Sequence, residues 1–439
     1  MAAADSPDLV VLGAGSTGLG AARAARAAGA RVVLVEAGRP GGDCTHYGCV
    51  PSKALLESAR RVAAARSGDR YGFSATVEVD FPAVMERVAA VVREVEQDES
   101  PELLASEGIE LVRGWGRFTG PRTLEVLRPA EEDGHAAPPD GSPVLRTLTC
   151  DRFVVATGSV AAVPPIDGLD AVPHLDNRTV FDLRAQPEHL LVLGGGPIGV
   201  ELAQAFRRLG SAVTVVQSDP DLVPRDEPEA RAALARVLGR EGVDVRTGAR
   251  ATAVRGREGD VALELADGST VAGSHLLVAV GRRPSTSGFG LEATSARLDE
   301  RGRVAVDRSL RAARTVWAAG DCASPLLFTH VGDAQGRLAA GNALAGARFW
   351  RRGRWDDRVV PWVTYTEPEV AHVGLSEAEA FARYGDRARV SVMPTSLPST
   401  IPPTRPGTAT SLTKPSVSPA VHGRSACASW TTETRARSP

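Results

Sequence analysis

Two stretches of the chain share one pattern of apolar and polar positions. Residues 8–36 and 190–217 each begin with a short apolar strand, pass through a glycine cluster into a helix rich in alanine and leucine, and end in a valine-rich strand. A strand, a helix and a second strand at this spacing indicate a βαβ unit, with parallel strands and a right-handed crossover. The pattern therefore predicts an α/β protein with two Rossmann-like nucleotide-binding domains.

Further elements are predicted outside the two units. Helices are expected at residues 53–65 and 81–96, and strands at 109–112, 153–155, 261–265, 275–280 and 315–318. Residues 128–148 are polar and rich in turn-forming residues, which indicates a hairpin region. From residue 394 to 439, 17 of the 46 residues are Ser or Thr and 8 are Pro. Such a segment buries too little apolar surface to offset its ordering entropy, so a disordered tail is predicted there.

The first glycine cluster has the spacing of a dinucleotide-binding turn. Gly13, Gly15 and Gly18 directly follow the strand at residues 9–12 and open a helix. The first glycine permits the tight bend, the second lets a pyrophosphate approach the backbone, and the third lets helix and strand pack closely. Glu36 ends the second strand, where a carboxylate can accept a hydrogen bond from a ribose hydroxyl. We therefore expect a bound dinucleotide rather than a chance glycine turn.

The second glycine cluster repeats this arrangement with one difference. Gly194, Gly196 and Gly199 follow an apolar strand, so a second dinucleotide is expected. Here the second strand ends in Gln217, followed by Ser218. This pair offers neither the acid that favours NAD nor an arginine for the 2′-phosphate of NADP. The choice between the two nicotinamide cofactors stays open.

Two of the five cysteines, Cys44 and Cys49, lie close together just after the first unit. Taken alone, this spacing fits a redox pair, a chance pair or half of a metal site. A zinc site needs two further ligands at metal spacing, and neither the other cysteines nor the scattered histidines supply them. The sequence therefore predicts no metal site and leaves the other two readings of the pair open.

Charge and hydropathy narrow the possible partners. The formal net charge is −2 and no block of Lys and Arg stands out, so nucleic acid is not an expected partner. The first eight residues carry two acids where a secretory signal has basic residues, and the apolar runs are too short to span a bilayer. We expect a cytoplasmic protein with no membrane contact.

The cysteine segment belongs to a larger set of motifs. Residues 41–53, GGDCTHYGCVPSK, resemble the redox motif of class I pyridine nucleotide-disulfide oxidoreductases, such as dihydrolipoyl dehydrogenase, glutathione reductase and mercuric reductase. Further similar segments are VVATGS at 154–159, GRRP at 281–284, VWAAGD at 316–321, and residues 362–375, which contain EPE. The resemblance covers residues 8 to about 392. It implies an enzyme with FAD and NAD(P)H as cofactors and a small-molecule disulfide or another electron acceptor as its substrate.

The resemblance also implies domains and residue roles. FAD would bind residues 1–155 and 285–350, NAD(P) would bind residues 156–284, and residues 351–393 would be an incomplete dimerisation domain before the tail at 394–439. Cys44 would be the thiol that attacks the substrate, Cys49 would lie against the flavin, and Lys53 would pair with Glu201 near the flavin and nicotinamide. Asp321 would bind the ribityl chain. Further cofactor contacts are implied for Gly42, Thr157, Gly158, Gly281, Arg282, Gly320, Thr329 and His330, although His330 is more simply explained as a structural histidine.

One motif of the family is missing. Its interface domain supplies a His-Pro segment followed by Glu, and no His-Pro dipeptide occurs here. We therefore expect a truncated or frameshifted interface domain, a weakened homodimer and slow disulfide turnover. Besides the oxidoreductase, two hypotheses stay open: an FAD-binding remnant without turnover, and an NAD(P)H oxidase or quinone reductase that does not use the cysteines.

Overall fold

A computed structural model describes residues 6–131, 134, 136–345 and 353–392. It contains two compact units, which meet in sequence between Gly374 and Leu375. The helices of the described residues are α1 Ser16–Ala27, α2 Gly42–Tyr47, α3 Cys49–Arg66, α4 Phe81–Glu96, α5 Pro101–Ser106, α6 Pro197–Leu209, α7 Pro228–Arg240, α8 Thr329–Leu344 and α9 Glu377–Tyr384.

The strands of the described residues fall into six sheets. They are β1 Leu9–Leu12, β2 Val32–Glu36, β3 Ile109–Arg113, β4 Trp115–Gly120, β5 Thr123–Leu127, β6 Val144–Thr149, β7 Phe153–Val155, β8 Ser159–Ala161, β9 His189–Leu193, β10 Ala212–Val216, β11 Asp244–Arg246, β12 Ala251–Arg257, β13 Asp260–Leu265, β14 Thr270–Gly273, β15 His275–Val278, β16 Arg282–Pro284, β17 Val316–Ala318, β18 Pro361–Thr364 and β19 Val370–Val373.

Both predicted βαβ units are present, and the prediction of an α/β fold is confirmed. The first unit lies in a five-stranded sheet of order β17-β7-β1-β2-β3, in which all neighbours are parallel. The second unit lies in a four-stranded parallel sheet of order β11-β10-β9-β15. The short strands β1, β7 and β17 are fully buried, as expected for parallel strands covered on both faces. The chain therefore has two Rossmann-like domains.

The five-stranded sheet contains strands that are distant in sequence. Strand β17 at residues 316–318 pairs with β7, although the whole second sheet lies between them in the chain. Helix α8, which follows β17, packs along α1. The approach is close because α8 carries Gly336, where a side chain would collide with the backbone oxygen of Thr17. This packing brings the N-terminal ends of α1 and α8 to the same region of the molecule.

Several predicted boundaries are corrected by the structure. The helix expected at 53–65 begins at Cys49, so the second cysteine is its first residue. The strand expected at 275–280 ends at Val278, and the one expected at 315–318 begins at Val316. In the predicted hairpin region, β6 pairs antiparallel with β5, and Arg128 N donates to Pro143 O at the base of the connection.

The second of the two compact units is distinct from the βαβ units. It begins at Leu375 and contains α9. Ser376 caps this helix: its hydroxyl accepts from Glu379 N at 3.2 Å, while the Glu379 carboxylate accepts from Ser376 N at 2.8 Å. The predicted tail at 394–439 lies outside the described residues. Within the described part of the chain, no helix is long and apolar enough to cross a membrane.

Candidate active site

The two glycine turns lead into helices whose N-termini carry no capping side chain. Gly15 and Gly196 are the N-caps of α1 and α6, and in neither helix does a side chain cap the first turn or an acid occupy it. A side chain added at Gly196 would meet no atom within 4 Å, which marks open space before the helix. Helix N-termini with unpaired N–H groups bind anions such as pyrophosphate. The residues therefore fit the phosphates of two dinucleotides.

The bends before these helices depend on glycine. Gly13 and Gly194, at the ends of β1 and β9, have φ angles of 100° and 112°. Residues with a side chain rarely adopt such positive φ angles. The first glycine of each cluster therefore permits the tight turn that the sequence predicted.

Glu36, which ends β2, and Gln217, which directly follows β10, both contact their glycine turns. Glu36 Oε2 accepts from Ala14 N at 2.6 Å, and its Oε1 accepts from Gly38 N at 2.7 Å. Burial raises the pKa of Glu36 despite these hydrogen bonds. In the second unit, Gln217 Oε1 accepts from Gly195 N at 2.8 Å. Glutamate and glutamine thus hold equivalent backbone positions in the two turns.

The structure brings the two predicted redox cysteines to one hydroxyl group. Cys44 lies in the short helix α2 and Cys49 begins α3. Thr329, the first residue of α8, donates from Oγ1 to Cys44 Sγ at 3.2 Å, and its Oγ1 lies 3.3 Å from Cys49 Sγ. Neither cysteine forms a disulfide in this structure. The contact joins residues 280 positions apart and forms only because α8 packs beside α1.

The surroundings of Cys49 favour its thiolate form near neutral pH. The pKa of Cys49 is lowered to about 6, first by a hydrogen bond from Cys44 and then by the Thr329 hydroxyl and the charge of Lys53, against the opposing effect of burial. The thiolate is the reactive form of cysteine, and a position at a helix N-terminus favours it. Two other cysteines differ: burial raises the pKa of Cys322 to about 11 and also raises that of Cys150. Cys322 is a fully buried small residue.

Lys53 and Glu201 form an ion pair next to the cysteines. Lys53 lies one helical turn after Cys49, and its Nζ is 2.8 Å from Glu201 Oε2. The Glu201 side chain is only 7% exposed, and its other oxygen accepts from Tyr365 N at 2.8 Å. The Lys53 ammonium also lies over the Tyr365 ring, 4.4 Å from its centre. The buried carboxylate is thus satisfied from two sides and holds Lys53 in place.

A second charged network lies on the other side of α2. Arg282 of β16 forms an ion pair with Asp43, the residue before Cys44, and donates to Ser159 Oγ and Ser159 O, each at 2.7 Å. Ser159 Oγ in turn donates to Asp321 Oδ2 at 2.6 Å. Burial raises the pKa of Asp321. Through Ser159, Arg282 thus connects Asp43 of α2 to Asp321, the residue that the family resemblance assigns to the ribityl chain of FAD.

The remaining predicted residues lie in loops and at helix ends. Thr157 Oγ1 donates to Ser285 O at 2.5 Å, Gly320 N donates to Gln335 Oε1 at 2.9 Å, and Gly42 lies against Gly15. Positive φ angles occur at Gly42, Gly158, Gly281 and Gly320. His330 Nε2 donates to Pro361 O at 2.9 Å and its ring stacks on Phe328, which favours the structural explanation of this histidine.

Three contacts were missed by sequence reasoning. Asp43 stands inside the redox motif and Ser159 inside VVATGS, but neither had been given a role. Tyr365 belongs to the segment 362–375, in which the resemblance assigns no role to a single residue. Their partners are distant in sequence, so no local pattern could identify them. The described residues contain no group of three or more His, Cys, Asp or Glu side chains that could hold a metal ion.

Comparisons with known proteins point to one protein family. The family described as pyridine nucleotide-disulphide oxidoreductase matches residues 7–343. A mercuric reductase of Streptomyces lividans is 40% identical over 379 residues, covering 85% of this chain and 76% of the relative. A dihydrolipoyl dehydrogenase of Thermus scotoductus is 36% identical over 398 residues, with 89% and 80% covered. Among solved structures, a Cu(II) complex of the HOCl-induced flavoprotein disulfide reductase RclA from Escherichia coli superposes with a TM-score of 0.74 at 28% identity, covering 87% of this chain and 80% of RclA.

Proposed function

The chain belongs to the pyridine nucleotide-disulphide oxidoreductase family, and from this premise we propose that it passes electrons from NAD(P)H through FAD to Cys44 and Cys49, and from them to an acceptor. The observation that carries the proposal is the convergence of two thiols on Thr329, next to the Lys53 ion pair. A chance pair of cysteines would have no reason to share a hydroxyl group and a neighbouring cation.

The chain offers suitable partners for both cofactors. The N-terminus of α1, Glu36 and Asp321 would hold FAD, and the N-terminus of α6 would hold the nicotinamide nucleotide. When bound, FAD supplies the two-electron chemistry that couples nicotinamide to sulfur. Arg282 neutralises Asp43 beside the first turn, so that a carboxylate next to a pyrophosphate is not left uncompensated.

The cysteines carry the sulfur chemistry. Reduction of a Cys44–Cys49 disulfide consumes two electrons and two protons and yields two thiols. Following the family resemblance, the Cys44 thiolate then attacks one sulfur of an acceptor disulfide, and the first acceptor thiol leaves. Cys49 attacks the resulting mixed disulfide at Cys44, the second acceptor thiol leaves, and the Cys44–Cys49 disulfide is restored. The low pKa of Cys49 keeps it ready for this second attack near neutral pH.

A soft metal ion is a second candidate acceptor. Thiolates prefer soft cations, and two of them near one hydroxyl group can bind such an ion together. The relatives named mercuric reductase agree with this chemistry, since a Hg(II) ion accepts two electrons. In this case the two electrons pass to the metal ion rather than to a disulfide.

The test counts the thiols that appear when NAD(P)H reduces the flavin-loaded protein. The flavin-loaded protein is first oxidised and then titrated without oxygen with NADH or NADPH, and exposed thiols are counted with a chromogenic reagent before and after. We expect two thiols to appear for each NAD(P)H consumed in the parent protein and in Cys150→Ser, and none in Cys49→Ser.

Other outcomes select the alternatives. If flavin is bleached while no thiols appear, and Cys49→Ser keeps full activity with oxygen or quinone, the cysteines are not on the electron path. If flavin binds and neither nucleotide bleaches it, the chain is a binding remnant. Both results contradict the proposal.

A further inference from the structure

The second glycine turn carries a carboxylate that the sequence motif did not reveal. Gln217, directly after β10, occupies the position of Glu36 in the first unit, and each accepts a hydrogen bond from the backbone N–H of the second turn residue. In the first unit the acid itself stands at this position. In the second, the Gln217 amide donates from Nε2 to Asp219 Oδ2 at 2.7 Å. The negative charge is therefore present, but two residues further along the chain.

Asp219 is held at the rim of the glycine turn by backbone contacts. Its carbonyl accepts from Gly248 N at 2.8 Å. The loop that it begins returns to the turn, where Val223 N donates to Gly195 O at 2.8 Å and the Leu222 side chain lies over Gly195. The Asp219 side chain is exposed, and among the described residues Gln217 alone contacts its carboxylate through a side-chain hydrogen bond. The carboxylate is thus exposed, with Oδ2 hydrogen-bonded to Gln217.

Two of the arginines on neighbouring elements are paired with acids. Arg246 of β11 is paired with Asp244 at 2.9 Å, and Arg231 of α7 is paired with Asp221 at 2.8 Å. Arg225 is exposed on the same loop as Asp219. It is the arginine nearest to Asp219 in sequence that could instead bind the 2′-phosphate of NADPH. The fixed charge next to Gln217 is therefore negative.

We propose that Asp219, positioned by Gln217, selects NADH over NADPH. Its carboxylate accepts a hydrogen bond from a hydroxyl of the adenosine ribose and repels the 2′-phosphate that distinguishes NADPH. An acid at the end of the second strand performs this task in many dinucleotide folds. Here the amide at the strand end turns its oxygen to the glycine turn and its nitrogen to Asp219, which takes over the role. This inference rests on the proposed function, since it assigns a preference to the same nicotinamide site.

The experiment measures binding as well as rate. Dissociation constants of NAD⁺ and NADP⁺ are determined by calorimetry on the flavin-loaded protein, and the rates of flavin bleaching by NADH and NADPH are measured without oxygen. A hydrogen bond to a charged group and the loss of a like charge together correspond to about tenfold or more in affinity. We expect NAD⁺ to bind at least about tenfold more tightly than NADP⁺.

Two variants in the same loop separate the specific charge from net charge. Asp219→Asn keeps an oxygen for the Gln217 amide but removes the charge, so NADP⁺ is expected to gain about tenfold in affinity relative to NAD⁺. Asp221→Asn removes the same charge from an acid that pairs with Arg231, and its ratio is expected to stay that of the parent.

The inference is overturned if the parent protein binds NADP⁺ as tightly as NAD⁺, or if both variants shift the ratio equally. Tighter NADP⁺ binding that is lost in Arg225→Gln would assign the selection to Arg225 instead. If neither nucleotide binds or bleaches the flavin, the proposed function itself fails, which is distinct from a wrong preference.

Discussion

The acidity of Cys49 depends first on its hydrogen bond from Cys44, and two substitutions at residue 44 test this cause. Cys44→Ser retains a donor of similar size, whereas Cys44→Ala removes it. With a pKa of about 6, nearly all of Cys49 is thiolate at pH 7, whereas a thiol at the ordinary value of 9.0 is about 1% thiolate. Thr329 and Lys53 still act in the alanine variant, so its pKa should move only part of the way upward.

The assay is the rate of alkylation by iodoacetamide as a function of pH, in the reduced protein. Cys150 and Cys322 are buried with raised pKa values and should react slowly, and a Cys427→Ser background removes a cysteine outside the described residues. We expect the alanine variant to react about tenfold more slowly than the serine variant at pH 7, and both to reach similar rates at high pH. Equal pH midpoints in the two variants would refute the assigned cause.

Three other perturbations have defined outcomes. Lys53→Met leaves Glu201 buried without its cation and should lower the free energy of unfolding by about 1–3 kcal/mol in urea, while a loss below about 0.5 kcal/mol would contradict the pairing. Arg282→Gln removes the cation beside Asp43 and the partly buried Asp321; it should destabilise the protein more at pH 8 than at pH 4.5, because burial raises the pKa of Asp321 and its protonation at low pH removes the penalty, and equal losses at both pH values would disagree. Gly196→Ala adds a methyl group to open space and should weaken nucleotide binding at unchanged Tm, whereas Gly199→Ala collides with the backbone of the preceding turn and should lower Tm; the reverse order would contradict this account.

The fold was largely predictable because its determinants are local. Residues 8–36 contain the apolar strands, the helix and the glycines of one complete unit, and the structure places all of them as expected. The errors lie at boundaries. The start of α3 was placed four residues late because a run with Gly48 and Pro51 gives no helical periodicity, although proline is tolerated in the first turn.

The functional assignments were carried by motifs, which name residues but not their partners. The two cysteines were recognisable from their segment, while the role of Asp43 in the same segment was not. Its partner Arg282 lies 239 positions away, at the start of β16, which pairs with β8. Asp219 could not be identified from the sequence. The acid that favours NAD is expected at the end of the second strand, where this chain carries the amide of Gln217.

A family resemblance singled out the cysteine pair, while the sequence by itself determined the α/β class and the two glycine turns. These features depend on backbone sterics, side-chain periodicity and spacing within about thirty residues, all of which one segment contains. The tertiary structure alone decided that Thr329 joins the two sulfurs, that Tyr365 holds Glu201, and that Arg282 lies against Asp43. Such contacts follow from how distant elements pack, and many residues of suitable chemistry compete for each partner until the packing selects one.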